Sequence, residues 1–348
     1  MSLTLHILVS GLLEPVRLWA KDYREFPRFD DLEALLLRAR DASTASLGYE
    51  HSLLELCGIR RSESGDVPTA PLRRFGITGT FDEGALACLD PVCLQADIGS
   101  AYLHDAGRIG ISRDEADALV RCFNDHFADR GLHLDADLPH AWHLRVGSPD
   151  EVAGCPIREA RGRDVTHRFP TGERAAFWHG VMNETQMLFH GLPQNREREA
   201  AGRMPVNGVW LHGAGALPAA GPQATPWSRI WGDDPLVVGV GLWTGVPTGR
   251  CPDSLNEMLE TTDCGRHLVI LDEISAHADY DEFPAWVDTV RDLGRRWFGP
   301  LGGERRVKHW VIQDDRGRRF ESGGGLRWPW RRVRPLPYYC GSEGGPRP

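Results

Sequence analysis

No two of the eight cysteines (Cys57, Cys88, Cys93, Cys122, Cys155, Cys251, Cys264 and Cys340) stand in a C-x-x-C pair. Structural zinc needs closely spaced ligand pairs, so this scatter argues against such a site. It reads instead as buried, reduced thiols in a cytoplasmic protein. No apolar run approaches the length of a bilayer span, which speaks against a membrane protein. The stretch MSLTLHILVSGLLEP carries no basic leader and is broken by Gly11, Glu14 and Pro15. It reads as a first core strand rather than a signal peptide. Internal repeats are missing, and so are the G-x-S-x-G elbow and the H-E-x-x-H helix that would mark familiar hydrolases. A formal net charge of −9 gives no overall attraction to nucleic acid or anionic membranes.

What is present is ordinary globular composition: 41% hydrophobic, 26% charged and 9% aromatic residues over 348 positions, enough for one large domain carrying a smaller one. Leu3–Val9 is a nearly continuous apolar run closed by Ser-Gly, as expected of a strand buried on both faces. Helical leucine spacing follows over Asp30–Arg40, and Ser52–Cys57 reads as a helix stopped by Gly58. Ser62–Pro71 has linker composition. Leu89–Ala96 and Ala101–His104 suggest paired strands, Ser112–Phe127 a helix with a Ser112/Glu115 capping box, and Ala141–Val146 another strand. That run, 76–163, is expected to be an inserted α+β subdomain. Beyond it, helix Arg174–His190, strands Gly208–His212, Leu236–Leu242 and Leu268–Asp272, helix Asp281–Phe298 and strand Val307–Gln313 alternate. Alternation of this kind points to a mostly parallel sheet with helices on both faces. Residues 341–348 read as a disordered tail.

The stretch Met187–Gly215, MLFHGLPQNREREAAGRMPVNGVWLHGAG, places polar residues around a short apolar strand. Spacing alone favours caps and turns with solvated arginines over a ligand site. The rule that ligands lie at the carboxyl ends of strands in open α/β sheets directs attention to His212-Gly213-Ala214-Gly215. The RWPWRRVRP segment mixes arginine with tryptophan, as single-stranded nucleic-acid surfaces do. In an acidic chain it reads rather as a salt-bridged edge, and nucleic acid is not an expected partner.

Pro193, Asn195, Arg198, Gly202, Pro205, Asn207, Gly213 and Gly215 resemble the H-P-V-N-x-x-R…G…P-A-N…G-x-G run of archaeal-type, cofactor-independent phosphoglycerate mutases of the alkaline phosphatase superfamily, with Leu192 in place of the histidine. Ala106-Gly107-Arg108-Ile109 is similar to part of that family's inserted domain. Asn183–Leu188, Pro205–Trp210 and Trp330–Leu336 resemble N-E-x-Q-M-L, P-V-N-x-x-W and W-R-R-x-R-P-L runs of a shorter bacterial branch, often labelled an Rpf-type regulatory protein. The likeness covers most of the chain. It implies an alkaline-phosphatase-like domain over 1–75 and 164–340, interrupted by the insert.

The resemblance also implies a two-metal centre beside a serine nucleophile, whose ions neutralise phosphate and need carboxylate and imidazole ligands. Here the expected Asp-Gly is Ser10-Gly11, and the nucleophile turn is Gly48-Tyr49-Glu50-His51 with no serine in register; Ser46 and Ser52 are displaced. The D-E-A-G-H run is Asp272-Glu273-Ile274-Ser275-Ala276-His277, and the terminal Asp-His is Asp314-Asp315. The reading that follows is a catalytically degenerate relative with a regulatory role and no cofactor. A small phosphorylated or carboxylate ligand is expected near His190, Asn195, Arg198, Asn207 and Arg108, because arginine pairs bidentately with such anions. One alternative is an active mutase or phosphohydrolase holding manganese or zinc on Asp272, His277 and Asp314. Another is an interaction module that docks a protein partner on the Arg/Trp-rich carboxyl-terminal segment.

Overall fold

The computed structural model describes residues 2–23, 25–59, 67–217, 225–262, 264–323 and 332–340, and the chain divides into two compact units. The first comprises Met1–Cys57, Thr225–Asp233 and Val246–Pro348; the second comprises Gly58–Ala224 and Asp234–Gly245. The tail at 341–348, residues 327–331 of the carboxyl-terminal segment and residues 62–66 of the expected linker lie outside the described residues, while Thr69, Ala70 and Pro71, also expected in the linker, open helix Thr69–Thr78.

In the first unit, strand Leu3–Val9 runs parallel to Gly265–Leu271 on one side and to Val307–Gln313 on the other. Arg229–Trp231 and Thr248–Gly249 extend the parallel part, while Arg319–Glu321 and Arg40–Asp41 close the opposite edge antiparallel. Leu3, Leu5, Ile7 and Val9 join a core with Val16, Trp19, Leu32, Trp286 and Val290. Leu8, Leu268 and Ile270, from the alternate positions, are buried too. A strand covered on both faces has no solvent side, which explains the unbroken apolar run. The mostly parallel α/β sheet expected from the sequence is therefore present. Because Val9 stands beside Leu271 and Leu8 beside Gln313, these three neighbouring strands end together.

The second unit is built on the long strand Leu86–Asp97, paired antiparallel with Ser100–His104, Ala141–Arg145 and Gly208–Gly215; Leu134–Leu138 adds to Ala141–Arg145. Its two faces differ. Ala87 and Leu89 enter a core with Leu119, Phe123, Trp178 and Phe189 from helices Arg113–Phe127 and Ala175–His190. Leu86 and Cys88 lie against Ala70 of helix Thr69–Thr78. The expected capping box is formed: Glu115 N donates to Ser112 Oγ at 3.2 Å, and Ser112 N donates to Glu115 Oε2 at 2.9 Å.

Three sequence expectations change. Gly208–His212, extended to Gly215, belongs to this antiparallel sheet and not to the parallel one. Its pairing with Leu86–Val92 joins the preceding helices to the second unit, so that unit is wider than the expected 76–163. Leu236–Leu242 is not a strand but part of helix Pro235–Thr244. A short, unbroken apolar run carries no periodicity in its composition, and the deciding signals were its ends. Asp234 caps the helix by accepting from Leu236 N, Pro235 occupies the first turn, and Gly245 adopts the left-handed stop at φ 71°.

Helices Thr69–Thr78 and Pro235–Thr244 approach closely because Gly76 and Gly239 carry no side chain. A Cβ on Gly239 would stand 1.7 Å from Leu72 O, and one on Gly76 would stand 1.9 Å from Pro235 O. Gly239→Ala is expected to destabilise the second unit by about 1–3 kcal/mol or more through overpacking. Differential scanning calorimetry checks this; an unchanged second-unit transition would contradict so close an approach.

Candidate functional site

The carboxyl ends of strands Leu3–Val9, Gly265–Leu271 and Val307–Gln313 lead into Ser10-Gly11, Asp272-Glu273 and Asp314-Asp315. These segments meet at Gly11. Its amide donates to Asp315 Oδ1 at 3.0 Å, and its carbonyl accepts from Trp286 Nε1 at 2.9 Å. Its backbone is left-handed at φ +78°, and a Cβ there would lie 2.8 Å from Ala278 Cβ and 3.2 Å from Ser275 Cα. Glycine thus lets the first loop pass against helix Ser275–Asp279. The fourth segment arrives through Gly48, whose amide donates to the Asp315 carbonyl at 3.0 Å and which opens helix Tyr49–Leu56. The four stretches singled out in the sequence are therefore neighbours, within one unit, at the place where open α/β sheets bind ligands.

The electrostatics of this edge are unusual. Asp314 is 1% exposed; its Oδ1 accepts from Arg316 N at 3.0 Å and Arg318 N at 2.8 Å, while its Oδ2 has no hydrogen-bond partner. Burial, reinforced by the neighbouring charge of Asp315, pushes the Asp314 carboxyl up to about 8, so it holds a proton at neutral pH. Glu273 is neutralised by Arg296 at 2.6 Å, and His277 Nδ1 is engaged by Glu282 Oε2 at 2.8 Å. Cys251 is pushed up to about 12 by burial and by Glu273, Asp233 and Asp272, and is therefore a thiol and not a thiolate. Ser52 is buried in helix Tyr49–Leu56, and Ser46 is exposed. A protonated Asp314 can donate to or accept from a bound group; the remaining carboxylates are largely compensated by neighbours.

The residues expected to bind an anion lie in the second unit, and three of them serve the fold. Arg198 is fully buried. Its Nε donates to Met204 O at 2.7 Å, Nη2 to Ile109 O at 2.6 Å, and Nη1 to Glu115 Oε2 at 2.9 Å and Gly110 O at 3.3 Å. Asn195 Nδ2 donates to Phe189 O and Val206 O, and its Oδ1 accepts from Val206 N. Asn207 pairs with the Leu94 main chain, donating at 3.0 Å and accepting at 2.7 Å, and so extends the ladder by one side chain. His190 and Arg108 are exposed. With their polar atoms spent on main-chain groups and, for Arg198, also on Glu115, Asn195, Arg198 and Asn207 tie segments of the fold together. The expected anion cluster is corrected accordingly.

Sequence reasoning missed a buried polar network beneath helix Thr69–Thr78. Arg73 makes a two-pronged pair with Asp90, both contacts at 2.6 Å, and donates from Nε to His143 Nε2 at 3.1 Å. His143 Nδ1 contacts Asp137 Oδ2 at 2.6 Å, and His212 Nε2 contacts Asp90 Oδ2 at 2.9 Å. No motif marks these residues, because they come from five separate elements. His212 was singled out as a strand-end ligand; it is instead buried in this network.

No protein-family model matches the chain. A probable 2,3-bisphosphoglycerate-independent phosphoglycerate mutase of Geobacter sulfurreducens is 26% identical over 128 residues, covering 36% of this chain and 32% of that protein. A 2,3-bisphosphoglycerate-independent phosphoglycerate mutase of Methanosarcina mazei is 22% identical over 189 residues, covering 51% and 45%. Its relatives, at low identity, are phosphoglycerate mutases. The chain spans about a third to a half of the length of the curated relatives it matches. Among solved structures, the PH0037 protein from Pyrococcus horikoshii superposes with a TM-score of 0.50 at 14% identity, covering 94% of this chain and 88% of that one. That likeness shows the fold, the alkaline-phosphatase-like α/β arrangement expected from the sequence. No helix of the described residues is long and apolar enough to cross a membrane.

The donor set at the strand edge does not fit a two-metal centre. Ser10 stands where a carboxylate is needed, Arg296 occupies Glu273, and Glu282 occupies His277. Among the described residues, no group of three or more His, Cys, Asp or Glu side chains is placed to hold a metal ion, Asp272, His277 and Asp314 included. Paired dications need several anionic donors at once.

Two measurements check these assignments. Arg198→Ala should cost about 3–5 kcal/mol, since it leaves Glu115 and three carbonyls without their buried partner. A variant melting with the wild type would release Arg198 for another role. Asp314 sits above its ordinary value of 3.8 in the folded protein, so its contribution is fully present below that value and is lost as pH rises through about 8. Asp314→Asn keeps the Oδ1 acceptor without titrating. Its thermal midpoint should gain on the wild type as pH rises from about 5 to about 9; parallel melting curves would refute the raised value.

Proposed function

We propose that this chain is a catalytically degenerate phosphoglycerate-mutase-like protein, kept for a regulatory or ligand-binding role of the kind implied by its likeness to the Rpf-type branch. The observation that carries the reading is the internal compensation of the strand-end acids. Gly11 N serves Asp315, Arg296 serves Glu273, and a proton serves Asp314. A phosphoryl-transfer centre needs those charges for ions and a nucleophile beside them, and no serine is in register at Gly48–His51. In this reading the protein binds an anionic small molecule or a protein partner without turning it over. Asn195, Arg198 and Asn207 do not contribute, since they are committed to the fold.

One observation favours the second reading, a metal-dependent mutase or phosphohydrolase with a rearranged site: the unpartnered Oδ2 of buried Asp314 is the kind of acceptor a cation would satisfy. A single purified sample separates the two. Protein equilibrated with manganese or zinc and desalted is expected to carry far less than one equivalent of metal and to leave phosphoglycerates and aryl phosphates unchanged. Two bound equivalents with turnover would establish the second reading instead.

A further inference from the structure

Cys88 pairs in register with His143 on one side and His212 on the other, so two imidazoles flank it on neighbouring strands. Asp90 follows on the same strand, and Arg73 descends from helix Thr69–Thr78 to grip it. Arg74, from the same helix turn, reaches Asp135 at 3.0 Å, Asp137 at 3.3 Å and Asp82 at 3.6 Å. The charged and titratable groups facing the two histidines are thus Arg73, Asp90 and Asp137, with Cys88, Arg74, Asp82, Asp135 and Asp234 around them. Together they join the helix, the long strand, the Leu134–Arg145 hairpin and strand Gly208–Gly215.

We propose that this network is an acid-operated latch: protonation of His143 and His212 unseats helix Thr69–Thr78 from the sheet and opens the second unit as pH falls. The proposal is independent of whether the strand edge of the first unit is catalytic. Its basis is that neither ring has a place for a second proton. His143 gives its Nδ1–H to Asp137, so its Nε2 must accept from Arg73 Nε. A proton on Nε2 would set donor against donor beside a guanidinium. His212 gives its Nε2–H to Asp90, and its Nδ1 is buried with no hydrogen-bond partner. A proton there would be a buried donor without an acceptor, which is costly. Arg73 and Asp90 satisfy each other and stay ionised, so the imidazoles are the groups that respond in the mildly acidic range.

The sign follows from linkage. Burial, with Arg73 beside it, lowers His143 from 6.5 to about 4, and burial lowers His212. The folded form therefore binds fewer protons than the unfolded one as pH falls below 6.5, and stability present above that value is lost. For His143 alone the unfolding equilibrium should shift about twenty-fold between about pH 7 and about pH 5.

Hydrogen exchange on the full chain, corrected for intrinsic rates, tests this at those two pH values. The wild type is expected to lose protection by about twenty-fold or more in helix Thr69–Thr78 and strands Leu86–Asp97 and Gly208–Gly215. The double variant His143→Gln/His212→Gln supplies an amide donor to each carboxylate and an acceptor for Arg73 without titrating, and should keep its protection. Equal protection of the wild type at both values overturns the latch, as does a variant that loses protection in parallel. Should the variant fail to fold, NMR of the wild-type imidazoles decides: both must stay neutral until protection falls. A resonance of either ring titrating near its ordinary value in the folded protein overturns the proposal.

Discussion

The amide of Gly11, given to the carboxylate of Asp315, is the constraint around which the first unit's functional edge is arranged. It requires the loop after the first strand to turn through a left-handed residue and pass within van der Waals reach of helix Ser275–Asp279. Trp286 then closes on the Gly11 carbonyl, and Gly48 brings its helix in through the carbonyl of the same Asp315. An aspartate used in this way is a structural acceptor. Its neighbour Asp314, enclosed by burial and by that charge, responds by keeping its proton.

The two units manage buried polarity by different means. At the strand edge of the first, carboxylates are quieted one at a time, by a main-chain amide, a guanidinium or a proton. The second threads a connected network through its interior, with Arg73 and Asp90 fully paired and two neutral imidazoles completing the chain. Connected networks of this sort specify one arrangement of the elements they join, because any member left alone carries a full desolvation penalty. The paired glycines of helices Thr69–Thr78 and Pro235–Thr244 lock the same region by shape, leaving no room for a Cβ on either side.

Much of the fold was legible beforehand. Strand Val307–Gln313 has the bounds expected from the sequence, the capping box of Ser112 and Glu115 is formed, and the first strand's unbroken apolarity reflects burial on both faces. Helix Pro235–Thr244 was misread because a short, unbroken apolar run looks the same in either conformation until its caps are considered. The polar residues of Met187–Gly215 were assigned to a ligand because arginine and asparagine bind anions and buried carbonyls with the same atoms. Arg198 spends those atoms on Ile109, Gly110 and Met204.

Local chemistry along the chain determined which segments are strands and where most helices begin, while the resemblance to the mutase family directed attention to Ser10, Gly48–His51, Asp272–His277 and Asp314-Asp315. Those properties depend on neighbours a few residues away, and sequence records them directly. Only the tertiary structure decided that these four stretches converge on Gly11, that Arg198 is a tie, and that Arg73, Asp90, His143 and His212 form one buried network. Each of those outcomes pairs atoms from distant parts of the chain. Whether a polar group faces water, an ion or another side chain is settled by burial, and burial exists only once the layers have closed.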